Sequence, residues 1–363
     1  MDAALVDRLI CPSCGSALAI EPLSAGETVL VCSECGVWHP VVGGVPVLLD
    51  FATPLHEQFA ARDGDDLARL GSPPSSAPRP GERDVQESFT DEWTLVSESP
   101  LSFTYSLDDL VYLSREVWLP WLVRDGQSPA SVLDIGCGLG LEAQALASVL
   151  PAAEIFAVDL NFGLVSSRAV RDAPPAVHFA LASVFALPFR RESFELVFSQ
   201  GVLHHTFSTE QAFREAASYV APGGHLFVWL YGAEDRVVSR GRRGVAMRAG
   251  VAAESVIRPA VSRAPAGARD LFFRAATRLA HPRLRRRLAH GGEWTPANTE
   301  HWLRDWLSPR YAHRQGFNEV IGWFEDLGFE VIGTHSPSAY HRRFGYPLWG
   351  IGLAGRRPPE AAS

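Results

Sequence analysis

Four of the five cysteines fall into two C-x2-C pairs, Cys11/Cys14 and Cys32/Cys35, with seventeen residues between the pairs. This is the spacing of a tetrahedral zinc site, and four thiolates leave no open coordination position, so the metal expected here is structural. Gly15 and Gly36, one behind each pair, relieve the tight turns that aim two sulfurs at one ion. A second chemical stretch is VLDIGCGLG, residues 132–140, in which Gly136, Gly138 and Gly140 follow Asp134. Glycines spaced this way let a backbone approach a ligand closely. A dinucleotide loop reads G-x-G-x-x-G/A, but Leu141 stands where the third glycine or alanine belongs, and no Gly-Lys-Ser/Thr follows to make a phosphate loop. A carboxylate at Asp134 would repel a pyrophosphate and suits a ligand that carries positive charge. Cys137 reads as a small residue filling this loop. Asp159, 25 residues beyond Asp134, can accept both hydroxyls of a ribose.

The elements that must position these residues alternate from residue 131 onward. SVLDIG, EIFAVDL, VHFALA, FELVFSQ and HLFVWLYG are apolar strand-like runs, and LEAQALASVL, GLVSSRAVRD and TEQAFREAASYV are helical segments between them. Such a succession predicts a parallel sheet covered on both faces, with the ligand at the carboxyl ends of the strands. Ahead of this array, SLDDLVYLSREVWLPWLV (106–123) carries Leu110, Leu113, Val117, Trp118 and Trp121 on one helical face. Residues 71–83, GSPPSSAPRPGER, read as a linker with little order.

Two resemblances follow from these residues. CPSCG and CSECG followed by HPVVGGVPVLL, over residues 8–50, resemble the Trm112-like zinc ribbons, which stand beside methyltransferases or at their N-termini. VLDIGCGLG, FAVDL, ALASVFALPF (180–189), FELVFSQGVLHH (194–205) and VAPGGHLFV (220–228) resemble, in order, the motifs of class I methyltransferases of the type-11 kind that use S-adenosyl-L-methionine (SAM). A sulfonium and an ammonium make SAM a fitting partner for Asp134. The resemblance implies an α/β fold, a Rossmann-like seven-stranded methyltransferase sheet preceded by the ribbon and carrying a helical lid insertion. It also implies a cofactor site at Asp134, Gly136, Cys137, Gly138, Gly140, Asp159, Leu160, Ser183, Val184, Phe185, Gln200 and Gly201. Ser183 stands where the family usually has an aspartate against the adenine amine, and Glu195 where the fourth strand usually has aspartate. Methyl transfer needs alignment and, for a hydroxyl nucleophile, a base; His205, at the end of strand four, is the first candidate and His313 the second. His313 lies in a stretch, 300–336, that resembles the C-terminal segment of members acting on small molecules or sugars.

The expected organisation is a ribbon over 1–50, a linker over 51–85, a helical cap over 86–130, a SAM-binding core over 131–231, a lid and acceptor insertion over 232–316, the rest of the core over 317–358 and a tail over 359–363. Residues 236–287 hold fourteen arginines and, as acids, only Glu254 and Asp270. That run suits a solvated face, a clamp for an acidic acceptor or an anionic membrane surface better than RNA, because aromatics are sparse and the ribbon itself is acidic. Phe272 and Phe273, with Leu271, Ala275 and Leu279, predict an amphipathic helix that buries this face. The expected activity is SAM-dependent transfer of a methyl group to a hydroxyl or amine of a small molecule: a secondary metabolite, a sugar or a lipid-linked acceptor. A ribosomal RNA methyltransferase and a non-catalytic SAM-binding scaffold are the alternatives. With a net charge of −8, no secretory leader and no apolar run long enough to span a bilayer, the chain reads as cytoplasmic. Zinc and SAM are the expected cofactors, no nucleic acid is expected as partner, and peripheral membrane contact stays open.

Overall fold

A computed structural model of the chain describes residues 3–124, 126, 128–233, 254–288, 294–345 and 347–359. The N-terminal part opens with α1 (Ala3–Arg8), then β1 (Ala19–Pro22), β2 (Thr28–Cys32), β3 (Val37–Val42) and β4 (Val45–Leu48), paired antiparallel in sequence. α2 (Pro54–Leu70), α3 (Glu82–Thr94), α4 (Leu107–Tyr112), a π-helical turn Leu113–Trp118 and α5 (Pro120–Arg124) follow. The core alternates β5 (Ser131–Ile135), α6 (Leu141–Val149), β6 (Glu154–Asp159), a 3-10 turn Phe162–Ser166, α7 (Arg168–Arg171), β7 (Val177–Ala182), β8 (Phe194–Gln200), α8 (Thr209–Ala217) and β9 (Val220–Leu230). The insertion contributes α9 (254–262), α10 (Ala266–Leu288) and α11 (Pro296–Leu307). α12 (Phe317–Asp326), β10 (Glu330–Thr334), α13 (Pro337–Phe344) and β11 (Ile351–Arg356) complete the chain.

The seven core strands lie in the order β7-β6-β5-β8-β9-β11-β10, with β11 antiparallel to both neighbours and the five strands from β7 to β9 parallel. This is the expected seven-stranded sheet. The order reverses between β5 and β8, so loops at their carboxyl ends diverge and leave a crevice, where ligands of such sheets bind. The strands are apolar on both faces, every residue of β5 and β7 being buried, as a sheet covered on two sides requires.

The ribbon is not a detached module. β4 pairs in parallel with β7, Val47 against Leu181 and Leu48 against Ala182, and the result is one eleven-stranded sheet. The ribbon's Leu5, Leu9 and Leu30 share a core with Phe156, Phe189 and Phe194. This covers the β7 edge, whose unpaired backbone would otherwise be open to another chain.

Three sequence expectations are corrected here. Residues 51–85, expected as a linker, contain α2 and the start of α3, and residues 71–83 are not a stretch of little order. α2 packs Phe59 and Leu67 against Trp38, Val29 and Val31, and the proline- and serine-rich stretch behind it is pinned by the ribbon: Ser72 N–H donates to Gly36 O at 2.8 Å and Trp38 N–H to Ser72 O at 3.1 Å. Arg79 then grips both oxygens of Asp50 at 2.7 and 2.6 Å and donates to Phe185 O at 3.1 Å. Composition predicted disorder because the partners that order this stretch lie far away in sequence. The helix expected at GLVSSRAVRD shrinks to a 3-10 turn and one turn of α7, because Ser167 caps Ala169 N–H and donates to Leu139 O at 2.7 Å instead of propagating a helix. Of the α10 residues expected on the buried face, only Phe273 is buried, together with Thr277; Phe272 and Ala275 are exposed, and Leu271 and Leu279 are 65% and 73% exposed. The insertion's residues 234–253 and 289–293, and the side chain of Arg287, lie outside the described residues.

Candidate active site and zinc ribbon

At the ribbon tip the sulfurs of Cys11, Cys14, Cys32 and Cys35 all lie within 4.8 Å of one another. Cys11 and Cys35 are 3.7 Å apart and Cys14 and Cys32 are 3.4 Å apart. Four sulfurs about 2.3 Å from a central ion would stand at about these separations, so the donor set and its spacing fit a tetrahedral zinc ion. Each knuckle is closed by a backbone bond, Gly15 N–H to Cys11 O at 2.8 Å and Gly36 N–H to Cys32 O at 2.9 Å.

A second feature is a cavity of about 560 Å³ at the carboxyl ends of the core strands. Of the residues expected to hold a cofactor, Gly136, Cys137, Gly138, Asp159, Leu160, Ser183, Val184, Phe185, Gln200 and Gly201 lie on its wall. Asp134 and Gly140 do not line it. Gly136 has φ +86°, and a Cβ there would sit 2.1 Å from Val202 Cγ2. Gly138 has φ +59°, with the Trp93 ring 3.1 Å from where its Cβ would be. These glycines let α3 and the β8 loop close on the backbone, and that close approach forms the near wall of the cavity.

Asp159, at the end of β6, organises the loop. One carboxylate oxygen accepts Gly138 N–H at 2.8 Å, the other accepts the backbone and side-chain N–H of Asn161 at 2.9 and 2.7 Å. Burial pushes its carboxyl up, and these hydrogen bonds pull it back toward the ionised form. Asp134 behind the loop is only 1% exposed; burial, with Glu142 and Asp159 nearby, raises its pKa well above the usual carboxylate range. One of its oxygens has no partner among the described residues. An unpartnered buried oxygen of this kind is costly without a donor or cation near it.

The position where the family has its adenine-facing acid is reorganised. Ser183 Oγ hydrogen-bonds the carboxylate of Glu82, the first residue of α3, and accepts Phe185 N–H at 3.2 Å. Glu82 lines the cavity, and its other oxygen accepts Arg79 N–H at 2.7 Å. Burial raises the Glu82 pKa against the opposing pull of Ser183 and Arg79. Sequence reading missed Glu82 because it lies 101 residues from Ser183, on an element whose entry into the site follows from the strap over residues 71–81.

His205 lies on the cavity wall with its Nδ1 2.8 Å from Tyr311 O, which fixes Nδ1 as the protonated nitrogen. Burial drives its pKa down to about 3, so the ring is neutral. His313 does not line the cavity; its N–H donates to His204 O at 2.9 Å, and its ring stacks on Tyr311 at 5.7 Å. The structure thus keeps His205 at the site and sets His313 behind it.

The far side of the cavity joins Trp302 and Trp306, from the C-terminal stretch 300–336 expected near the acceptor, to residues that the sequence does not mark. Tyr231 at the end of β9, Glu254 and Arg258 on α9, Trp302, Asp305 and Trp306 on α11, and Arg314 all face it. Asp305 takes a hydrogen bond from the Tyr231 hydroxyl, and burial, opposed by Arg258 and Tyr231 and reinforced by Glu254, pushes its pKa up to about 7. Burial with Asp305 close by raises the Tyr231 pKa well above 10, so the phenol stays protonated and remains the donor. Arg258 donates to Glu254 at 2.5 Å and to Trp306 O at 3.0 and 2.8 Å; the Arg314 guanidinium lies 5.3 Å from the Tyr231 ring centroid. The sequence marks this insertion and the 300–336 stretch as acceptor-side elements, but the facing of Tyr231, Arg258 and Asp305 follows only from the fold.

Comparison with known proteins agrees with this geometry. Residues 133–228 match the family model described as "Methyltransferase domain". Among curated relatives, the malonyl-[acyl-carrier protein] O-methyltransferase of Methylococcus capsulatus is 28% identical over 162 residues, 44% of this chain and 58% of that protein. The enzyme of the same name from Geobacter sulfurreducens is 34% identical over 117 residues, 31% of this chain and 43% of its own length. The chain spans between a quarter and three fifths of the length of the first curated relatives it matches. A solved chain from the complex between the Haloferax volcanii Trm112 methyltransferase activator and a methyltransferase aligns at 14% identity with a TM-score of 0.45, covering 77% of this chain and all of that one. The N-methyltransferase NodS of Bradyrhizobium japonicum WM9, solved with S-adenosyl-L-homocysteine, aligns at 14% identity with a TM-score of 0.41, over 76% of this chain and 99% of its own. The glycine loop and Asp159 thus fall within a segment, residues 133–228, that matches a methyltransferase domain.

Proposed function

We propose that the protein transfers a methyl group from SAM to an oxygen, or failing that a nitrogen, of a small-molecule acceptor held between the core and the insertion. The observation that carries this reading is one continuous cavity, bounded on one side by Gly136, Gly138 and Asp159 and on the other by Tyr231, Arg258, Asp305 and Trp306. The first set fits the cofactor: the glycine backbone admits close approach, and Asp159 offers acceptor oxygens. When bound, SAM supplies a methyl group already activated by its sulfonium. Glu82, bridged to Ser183, replaces the missing acid against the adenine amino group.

The remaining residues prepare the acceptor. Trp302 and Trp306, stacked on each other with ring centroids 5.1 Å apart, give an apolar wall. Asp305 is the group matched to proton removal, because its carboxyl titrates near neutrality. His205, with Nδ1 tied to Tyr311 O, offers only Nε2 as a neutral acceptor and positions rather than deprotonates. The relatives named O-methyltransferases favour oxygen over nitrogen as the accepting atom. The test is incubation of the protein with isotopically labelled SAM and a fractionated small-molecule extract, with mass analysis of what gains a methyl group. Labelled product that disappears with Asp305→Asn supports the reading. Label found only in RNA, or in no acceptor, overturns it.

A further inference from the structure

α10 presents two chemistries on opposite faces. Inward, Phe273 and Thr277 pack toward α11, the Arg304 guanidinium sits 4.6 Å from the Phe273 ring centroid, and His281 Nδ1 lies 2.8 Å from Thr299 Oγ1. Outward, Leu271, Ala275 and Leu279 stand at i, i+4 and i+8 and form one apolar stripe along the exposed face. Phe272 is exposed beside it. Helical spacing places Arg274 and Arg278 along one border of the stripe, Arg283, Arg285 and Arg286 follow beyond its C-terminal end after Pro282, and all five are exposed. Among the described residues none of the five joins an ion pair. The chain as a whole carries a net charge of −8, so this helix is a basic island on an acidic molecule.

A stripe of exposed leucines gains nothing from water and little from a phosphate backbone, whereas an apolar stripe bordered by guanidinium groups matches a lipid interface. Acyl chains would cover the leucines, and the arginines would reach the phosphates at the same depth. From this arrangement we infer that the outer face of α10 docks on the surface of a membrane containing anionic phospholipid. The inner face of the same helix packs on α11, which carries Trp302, Asp305 and Trp306 of the cavity wall. Docking therefore sets the acceptor side of the cavity next to the bilayer, where an amphiphilic acceptor partitions. No helix of the described residues is long and apolar enough to cross a membrane, so attachment is at the surface.

The experiment is flotation of the zinc-loaded full chain with phosphatidylcholine vesicles, with and without phosphatidylglycerol, at low and high salt. The expected result is recovery with the anionic vesicles only, weakened by salt. Binding should fall about tenfold or more in Arg278→Glu/Arg285→Glu, given roughly 1 kcal/mol per basic residue near an anionic surface. A comparable loss is expected in Leu271→Glu/Leu279→Glu. Both pairs are exposed, so unchanged melting temperatures separate lost docking from lost folding. Wild-type protein that stays unbound, or vesicle binding that neither double variant reduces, overturns the inference. So does tight binding to a single-stranded RNA oligonucleotide that the arginine variant abolishes and the leucine variant leaves intact. None of these readouts depends on methyl transfer.

Discussion

Two carboxylates separate the roles in the cavity. Burial raises both, but four backbone and side-chain hydrogen bonds draw Asp159 back toward ionisation, whereas burial outweighs one phenol and a nearby guanidinium at Asp305, whose pKa is pushed up to about 7. Glu254 on α9 and Glu92 on α3 are the like charges around Asp305, with Tyr231 and Arg258 opposing them. A base acts only when ionised, so the methylation rate is expected to climb about tenfold per pH unit below about 7 and to level off above it. Asp305→Asn should remove that slope and lower the rate by about a hundredfold or more while leaving SAM affinity in place. A profile still rising through pH 7 in the variant would assign the proton to another group. Glu82 is tested by binding rather than rate. Glu82→Ala should weaken SAM about tenfold by calorimetry, the worth of one hydrogen bond to a charged group, and Ser183→Ala should weaken it less; an unchanged dissociation constant for Glu82→Ala would remove Glu82 from the cofactor site. Sequence could mark Asp159 because it ends a strand at a fixed distance from the glycines. It could not mark Glu82 or Asp305, because each gains its meaning only from a neighbour more than seventy residues away.

At the scale of elements, the segment from Asp50 to α3 acts as a strap. It leaves the ribbon, crosses the loop after β7, and lays α3 over the glycine loop and the turn after β6, where Gln86 donates to Leu160 O at 3.0 Å and Thr90 Oγ1 accepts Phe162 N–H at 3.0 Å. Arg79 is its buckle. Arg79→Ala would leave Asp50, only 6% exposed, without its guanidinium, and breaking a largely buried pair in this way costs about 3 kcal/mol. A fall in melting temperature with weaker SAM binding is the expected outcome. Full stability in the variant would mean that the strap is held by its backbone bonds alone. The helical spacing in 106–123 and the apolar strands of the core were legible from local pattern, because burial on two faces leaves a continuous apolar run. The strap and α10 were not. A proline- and serine-rich stretch reads as disorder until a strand edge is found for it, and the periodicity of α10 reveals a stripe without saying whether protein or solvent faces it.

The parallel pairing of β4 with β7 makes the four-cysteine ribbon an edge of the core sheet. Metal removal should therefore destabilise the complete chain. Chelation or Cys32→Ser is expected to abolish stoichiometric zinc and to lower a single cooperative melting transition by about 5–10 °C. Two transitions, with the upper one unmoved, would show the ribbon to be energetically independent. The two cysteine pairs, the glycine loop with its following acid and the order of strands and helices were legible in the chain, because each is written in spacing over short range, where covalent geometry limits the chain to few conformations. Only the tertiary structure decided that the ribbon continues the main sheet, that Glu82 meets Ser183, that Asp305 and Tyr231 face the glycine loop across one cavity, and that the leucines of α10 point outward. Those facts depend on which surfaces exclude water from one another, and that is settled by the packing of the entire chain rather than by any segment of it.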